Sequence, residues 1–291
     1  MKDEIVDLYR EAGAIASAVL RRGRDRVRIG TPIRETVESI EGMVREAGAG
    51  LAFPLNVSVN EDAAHDTAWP GDERIFAVGD VVKLDLGVHL EGYIADTATT
   101  VDLGEHQPLV EASVAALERA IGLARPGVQI NQIGAAIEAE IQGRGFRPVA
   151  NLTGHGLAQY QIHTGPTIQN VGSGSGAPLE AGTVIAIEPF ATTGSGMVSE
   201  RNHVEIYQQI SVKPVRLPAA RRLLEEVRER RGLPFARRFV GAEMRDVALA
   251  TLVRAGILHA YPILHDVPGS MVSQAEHTIV LLDEDCIVTT R

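Results

Sequence analysis

Two stretches of the sequence follow the same pattern, 103 residues apart. Residues 79–85 read GDVVKLD and residues 182–188 read GTVIAIE, so each has a glycine turn, a β-rich apolar run and a final carboxylate. Because a carboxylate at the end of an apolar strand is costly to bury alone, its appearance at two equivalent places indicates a shared partner such as a metal ion. The repeat predicts two related halves whose equivalent positions meet at one site.

Two pairs of predicted helices accompany these strands, again about 100 residues apart. Apolar residues at helical spacing predict helices over residues 3–22, from Thr31-Pro32 to Gly48, 108–124 and 130–145. We expect Gly23 to stop the first helix and Thr31 to cap the second. Helices and strands in this order predict an internally duplicated α+β fold.

The second half of the repeat is interrupted before its last strands. Two helical stretches, Pro218–Arg231 and Ala242–Ala255, precede the return of strand character at Val272 and at Thr278–Leu282. We interpret residues 207–261 as a helical insertion subdomain within one domain that spans residues 1–291. The glycine-rich segment 172–176 lacks the Lys-Ser/Thr of a phosphate loop and is interpreted as a flexible hairpin loop.

The composition excludes several classes of protein. With 45% hydrophobic and 23% charged residues, the chain is typical of a globular protein, and it contains no run of about 18 apolar residues that would span a membrane. The acidic start MKDEIVDLYREAG does not resemble a signal peptide, which predicts a cytoplasmic protein. A net charge of −10 argues against a specific nucleic-acid binder.

The single cysteine, Cys286, excludes a disulfide framework or a thiolate metal cluster within one chain. It lies in a strand-like run, CIVTT, and we interpret it as a buried structural residue.

Five residues form a candidate metal site. Asp85 and Asp96 flank a hairpin-like sequence, and two carboxylates that face one another across such a ladder repel unless a cation lies between them. Glu188 joins them through the repeat, His155 lies between two glycines, and Glu276 precedes the final apolar run. Two Asp, two Glu and one His suit a pair of divalent metal ions, which can activate a water and stabilise an oxyanion.

These residues and their surroundings resemble the metal-ligand set of the methionine aminopeptidases. The segments that carry the resemblance are VVKLDLGVH, GYIADTATT, TGHGL, AIEPFATTGSG and EHTIV. The segments AFPLN at 52–56 and NEDAAH at 60–65, together with the insertion, resemble the type II branch in its short archaeal form. The resemblance covers essentially the whole chain and implies the pita-bread fold, whose pseudo-symmetric halves agree with the repeat.

The resemblance also implies roles for the metal ligands. Asp85 would hold one metal ion, His155 and Glu188 the other, and Asp96 and Glu276 would bridge both. Glu188 would also accept a proton from the attacking water. The metal ions implied are Co, Mn, Fe(II) or Zn, among which such sites discriminate modestly.

The substrate side of the site is implied in the same way. His65 and His163 match the two catalytic, substrate-binding histidines of the family. The positions that match its methionine pocket are Phe53, Ile162, Phe190 and Tyr261. The implied activity is the co-translational removal of the N-terminal methionine from nascent polypeptides, with preference for a small second residue, by a monomer.

Two other functions remain open. An Xaa-Pro aminopeptidase or dipeptidase of the same fold usually carries a large separate N-terminal domain, whereas only about 50 residues precede the first strand here. A catalytically inactive relative that serves as a binding or chaperone module typically loses metal ligands, whereas all five are present here.

The insertion suggests a further partner. Nine basic residues against three acidic ones lie between Lys213 and Arg238. This local charge of +6 could make a transient contact with ribosomal RNA, and the alternative is a solvated helix face with paired charges.

Overall fold

The computed structural model describes residues 1–173, 176–241 and 243–291. The helices are α1 (Asp3–Arg24), α2 (Ile33–Glu46), α3 (Gln107–Ile121), α4 (Ile130–Gly143), α5 (Pro218–Glu226) and α6 (Arg245–Arg254), with 3₁₀ turns at Arg228–Arg230 and Arg237–Phe239. The strands are β1 (Gly50–Leu51), β2 (Asn56–Val59), β3 (Asp62–Ala64), β4 (Val81–Leu90), β5 (Tyr93–Asp102), β6 (Arg147–Pro148), β7 (Thr153–Ala158), β8 (Gln161–Gln169), β9 (Val184–Ile187), β10 (Phe190–Thr192), β11 (Ser199–Gln209), β12 (Phe235–Ala236), β13 (Leu258–His265), β14 (Val272–Gln274), β15 (His277–Leu281) and β16 (Cys286–Val288). Part of the predicted loop at 172–176 and the predicted helix start at Ala242 lie outside the described residues.

The predicted duplication is visible in the packing. α1 and α2 cover the β4–β5 hairpin with a core that includes Val37, Ile40 and Leu84. α3 and α4 pair in the same way and bury Ile133 and Ile137 beside β8 and β9. The α+β prediction is confirmed, because each half consists of a helix pair on an antiparallel sheet.

Two predictions about helix ends were wrong. α1 continues through Gly23 to Arg24. A Cβ at Gly23 would lie 2.8 Å from Ile40 Cδ1. This glycine therefore allows α1 and α2 to approach closely and does not end the helix. Pro32 occupies the N-cap of α2, while the carbonyl of Thr31 accepts a hydrogen bond from the backbone N–H of Phe76.

Among the described residues, no helix is both long and apolar enough to cross a membrane.

The two halves meet where two sheets come together. The first sheet contains β1, β2, β4 and β5, and the second has the order β16-β15-β9-β7-β8. An isolated antiparallel bridge joins Ala98 to Glu276. Thr278 reinforces this junction, because its hydroxyl accepts a hydrogen bond from the N–H of Asp96 (2.7 Å) and donates one to the carbonyl of Asp96 (2.8 Å).

The segment 207–261 contains strands as well as the two predicted helices. β11 pairs with β12 and β13, and α5 and α6 pack together over a small core of Leu223, Phe235 and Leu252. The first stretch is shorter than predicted, because α5 ends at Glu226 and a 3₁₀ turn follows.

Three of the nine basic residues counted in this segment are engaged inside the protein. Arg230 donates to the carbonyl of Leu51, Arg237 pairs with Glu205, and Arg238 pairs with the buried Glu41. The charge that this segment offers to a partner is therefore smaller than the sequence count indicated.

Cys286 lies in β16, but it is only half-buried, which corrects the prediction of a buried residue. Its Sγ atom lies 3.0 Å from Nη1 of Arg125.

Two helical glycines give a matched test of this packing. A Cβ at Gly13 in α1 would lie 2.1 Å from the carbonyl oxygen of Thr289, whereas a Cβ at Gly42 in α2 meets no atom within 4 Å. We expect Gly13→Ala to lower the free energy of unfolding by about 2 kcal/mol through overpacking. Gly42→Ala should raise it by about 0.5–1 kcal/mol through helix propensity. Urea unfolding measures both, and equal effects of the two substitutions would contradict the packing seen at Gly13.

Candidate active site

One cavity of about 290 Å³ collects the candidate residues at the junction of the two halves. Every residue singled out in the sequence as a metal ligand, catalytic group or pocket residue lines it: Phe53, His65, Asp85, Asp96, His155, Ile162, His163, Glu188, Phe190, Tyr261 and Glu276. Positions up to 223 residues apart in the sequence are thus brought to one place.

The β4–β5 hairpin places the first two carboxylates. Asp85 lies opposite Ala98 and Asp96 lies opposite Gly87, so the two acids are diagonal neighbours on one face. The sequence had suggested that they lie directly opposite each other, which is not the case. Diagonal neighbours remain within reach of each other's side chains. Asp96 is buried and Asp85 is partly buried, and each has a buried oxygen, Oδ1, without a hydrogen-bond partner among the described residues.

The second half supplies the remaining candidate ligands from three strands. His155 lies in β7, Glu188 follows β9 and Glu276 precedes β15. Ligand atoms of Asp96, His155 and Glu276 all lie within 4.8 Å of one another. The Nε2 atom of His155 is 3.5 Å from Glu188 Oε1 and 3.7 Å from Asp96 Oδ2.

His155 is oriented for binding a metal ion. Its Nδ1 atom lies 3.3 Å from the carbonyl oxygen of Gly156, which can only accept a hydrogen bond. The proton therefore resides on Nδ1, and Nε2 keeps its lone pair toward the carboxylates. Burial, and then the neighbouring His163, lower the pKa of His155 to about 3, so the imidazole is neutral at physiological pH.

The four carboxyl groups form an acidic cluster that is shielded from solvent, where the ionised form of each is disfavoured. Burial raises the pKa of Asp85 to about 7. Burial, followed by repulsion from neighbouring carboxylates, raises the pKa values of Asp96, Glu188 and Glu276 well above the usual range. Such a cluster is unfavourable without positive charge. Oxygen-rich ligands, one neutral imidazole and unpartnered carboxylate oxygens are the chemistry that divalent metal ions bind, so the residues fit a metal centre.

Gln274 is a member of the site that the sequence interpretation missed. Its Nε2 atom lies 3.4 Å from Asp85 Oδ2, 3.5 Å from Glu188 Oε2 and 3.3 Å from Glu276 Oε2. The signal was available, because Gln274 precedes Glu276 by two residues and side chains at that spacing share one face of a strand.

The histidines His65 and His163 occupy strained backbone positions at pseudo-equivalent places. Their φ angles are +66° and +60°, in the left-handed region that non-glycine residues rarely adopt. Burial is the main reason that both have pKa values of about 4, so both rings are neutral. His65 Nδ1 lies 3.2 Å from the carbonyl oxygen of Pro262, which places the proton on Nδ1 and the lone pair on Nε2.

Part of the cavity wall is apolar. Phe53, Ile162, Phe190 and Tyr261 lie there together with Ile206 and Pro234, which the sequence interpretation did not select. The hydroxyl of Tyr261 donates a hydrogen bond to Gln208 Oε1, and burial raises its pKa to about 12, so the phenol stays protonated. Other lining residues that were missed are Asn56, Ala64, Leu152, Thr153, Thr164 and Thr167. Asn56, Ala64 and Thr153 lie in segments that carried the family resemblance, whereas no sequence signal marked Leu152, Thr164 and Thr167.

A two-fold repeated αβ fold with a buried cluster of carboxylates and imidazole at its centre defines a class of metal-dependent hydrolases. The model of metallopeptidase family M24 matches residues 7–214. A methionine aminopeptidase of Archaeoglobus fulgidus is 46% identical over 292 aligned residues, which cover 100% of both chains. One of Pyrococcus abyssi is also 46% identical and covers 98% of this chain and 99% of its own. The chain therefore belongs to metallopeptidase family M24 and, within it, to the methionine aminopeptidase family.

The solved structures confirm the predicted pita-bread fold. A crystal structure of methionine aminopeptidase from Thermotoga maritima superposes with a TM-score of 0.74 at 22% identity, covering 100% of this chain and 98% of that one. At this level of identity the likeness concerns the fold alone.

The acidic cluster should make the stability of the metal-stripped protein depend on pH. Below about pH 4, Asp85 is protonated in both the folded and the unfolded state. Between about pH 4 and pH 7, the unfolded state loses this proton while the folded state keeps it, so the folded state loses stability as pH rises. Asp85→Asn removes this penalty. At pH 8, the free energy of unfolding of the variant should exceed that of the wild type by up to about 4 kcal/mol, because a pKa change of one corresponds to about 1.4 kcal/mol.

Denaturant unfolding at pH 4 and pH 8 in a chelating buffer measures this difference. Added Mn or Zn should reverse the difference in stability, because only the wild type keeps the complete set of candidate ligands. The exposed Asp283→Asn variant is the control and should follow the wild type. A pH-independent difference between Asp85→Asn and the wild type would contradict the buried charge at Asp85.

Proposed function

We propose that the protein removes the N-terminal methionine from nascent polypeptides in the cytoplasm by hydrolysis at a dinuclear metal centre. The observation that carries the proposal is one cavity whose lining combines apolar side chains with five candidate metal ligands and two neutral histidines. Membership of the methionine aminopeptidase family supports the same reaction.

The metal centre would involve all five candidate ligands. Asp85 would hold one ion, His155 and Glu188 the other, while Asp96 and Glu276 would contact both. The divalent ions, whether Co, Mn, Fe(II) or Zn, would supply positive charge that polarises the scissile carbonyl and acidifies the attacking water. The buried carboxylates and the lone pair on His155 Nε2 support this assignment.

Glu188 is the group suited to move the proton. Its carboxylate lies in the cavity 3.5 Å from Nε2 of His155, where it could accept a proton from the attacking water. The same proton then passes to the nitrogen of the leaving amine as the peptide bond breaks. The products are free methionine and the shortened polypeptide, so the reaction consumes one water.

The two histidines would orient the scissile bond. His163 is neutral and adjoins His155, with 4.5 Å between the ring centroids, so its N–H can donate to the carbonyl oxygen as negative charge develops there. His65 presents the lone pair of Nε2, which suits it to accept a hydrogen bond from the scissile amide N–H. This tautomer of His65 favours Glu188 over His65 as the proton donor to the leaving amine.

The apolar wall would select the first residue of the substrate. Phe53, Ile162, Phe190 and Tyr261 offer a surface that suits the unbranched, polarisable side chain of methionine. The preference for a small second residue follows from the family and completes the proposal. One chain supplies every candidate residue, which supports action as a monomer.

The insertion subdomain, residues 207–261, would border this pocket and offer its exposed basic residues to a ribosome during synthesis. The residues left for that contact are Lys213, Arg216, Arg221, Arg222, Arg228 and Arg231. Arg222 and Arg228 already pair with Glu243 and Glu225, which weakens this part of the proposal. Co-sedimentation with ribosomes that is insensitive to salt and to neutralising Arg216 and Arg221 would count against it.

The catalytic proposal predicts release of methionine from Met-Gly-Met-Met by metal-stripped protein to which Mn, Co, Fe(II) or Zn is returned. Glu188→Gln should lower kcat at least about 100-fold, because it removes the proton acceptor. The exposed Glu180→Gln variant is the matched control and should retain full activity.

An Xaa-Pro peptide assayed in parallel separates the alternatives. Cleavage of the Xaa-Pro bond in place of the Met-Gly bond would establish an Xaa-Pro aminopeptidase or dipeptidase. Inactivity with every metal, in protein shown to bind the ions, would contradict both peptidase functions and favour the binding or chaperone role.

A further inference from the structure

The aromatic ring of Phe53 lies directly on the backbone of Gly87. A Cβ at Gly87 would lie 2.2 Å from Phe53 Cε1, 2.5 Å from Cδ1 and 2.9 Å from Cζ. Atoms at these distances overlap, so the ring occupies the space that any side chain at position 87 would fill. The position of Phe53 in the cavity wall therefore depends on a glycine in a different strand.

The strand register explains how the ring reaches this place. β1 and β2 pair with the same edge of β4, where Leu51 lies opposite Val88 and Asn56 lies opposite Asp85. The four residues between Leu51 and Asn56 thus face only two residues of β4. The two additional residues make this segment bulge outward, and the hydrogen bond from Ala52 N–H to the carbonyl of Gly87 (2.8 Å) anchors it. Phe53 leaves this bulge and folds over β4.

Gly87 also occupies a central position among the metal-binding side chains. It lies two residues after Asp85 on the same face of β4 and directly opposite Asp96 in the hairpin. The ring of Phe53 is consequently held on the face that carries both carboxylates. The position of this ring therefore determines how much space remains beside the candidate metal ligands.

We propose that Gly87 is a specificity-determining position, which acts through Phe53 to set how long a first side chain the cavity accepts. The inference rests on the proposed release of methionine. A methyl group at position 87 displaces the ring into the cavity and shortens the space opposite the carboxylates. Glycine keeps the ring against the strand and leaves room for a side chain of the length of methionine.

The test compares substrates with unbranched first side chains of decreasing length. The peptides are Xaa-Gly-Met-Met with methionine, norvaline or 2-aminobutyrate at the first position. Gly87→Ala should lower kcat/KM for the methionine peptide at least about 10-fold, chiefly through KM. The loss should shrink as the side chain shortens. Binding of L-methionine and L-2-aminobutyrate to the metal-loaded protein, measured by calorimetry, should show the same dependence on length.

The double variant Phe53→Leu/Gly87→Ala provides the decisive comparison. Leucine is smaller than phenylalanine and relieves the overlap, so the double variant should regain the wild-type ratio between the methionine and 2-aminobutyrate peptides. Phe53→Leu alone is its control. Metal content should equal that of the wild type in all three variants, because none of the substitutions removes a ligand.

Several outcomes would overturn the proposal. An equal loss for all three peptides, or a loss of bound metal, would show that Gly87 serves only the backbone of the metal site. If Gly87→Ala does not fold, folding of the double variant supports the clash with Phe53, and its failure to fold refutes it. A wild-type protein that releases no methionine with any metal contradicts the proposed function instead, and the amino-acid binding data then test Gly87 independently.

Discussion

The structure depends on one electrostatic constraint, which is the burial of four carboxylates at the junction of two halves. Asp85 and Asp96 come from the first sheet, and Glu188 and Glu276 flank strands of the second. Repulsion among them opposes the packing that brings the halves together, so the junction needs both a network of polar contacts and positive charge. Thr278 and Gln274 provide part of the network, and divalent metal ions, which these residues fit, would provide the charge.

The repeat and the meeting of the candidate metal ligands in one cavity could be predicted from the sequence because both leave local signals. A carboxylate after an apolar run is unusual, and its recurrence at a fixed spacing indicated two halves and a shared site. The helix spacing also gave α2 and α4 to within a few residues. These features depend on a residue and its immediate neighbours, so they do not require the folded protein.

The features that were missed or mistaken depend on contacts between distant segments. Gly23 was interpreted as a helix stop, although it serves the approach of Ile40 from α2. The diagonal placement of Asp85 and Asp96 follows from the hairpin register, which the sequence leaves open by one residue. The left-handed backbone of His65 and His163 is equally invisible in the sequence, because histidine gives no sign of a positive φ. Strain of this kind persists only where the surrounding fold imposes it.

The wide separation of the metal ligands along the chain has a consequence for biosynthesis. Asp85 and Asp96 form one hairpin, but their partner Glu276 is nearly two hundred residues further on. An emerging chain can complete the α1–α2 half early, yet the acidic face of its hairpin has no counterpart until Glu276 has left the ribosome. Contacts of such long range slow folding and favour a partly folded intermediate. The candidate active site therefore cannot be complete until almost all of the chain has been made.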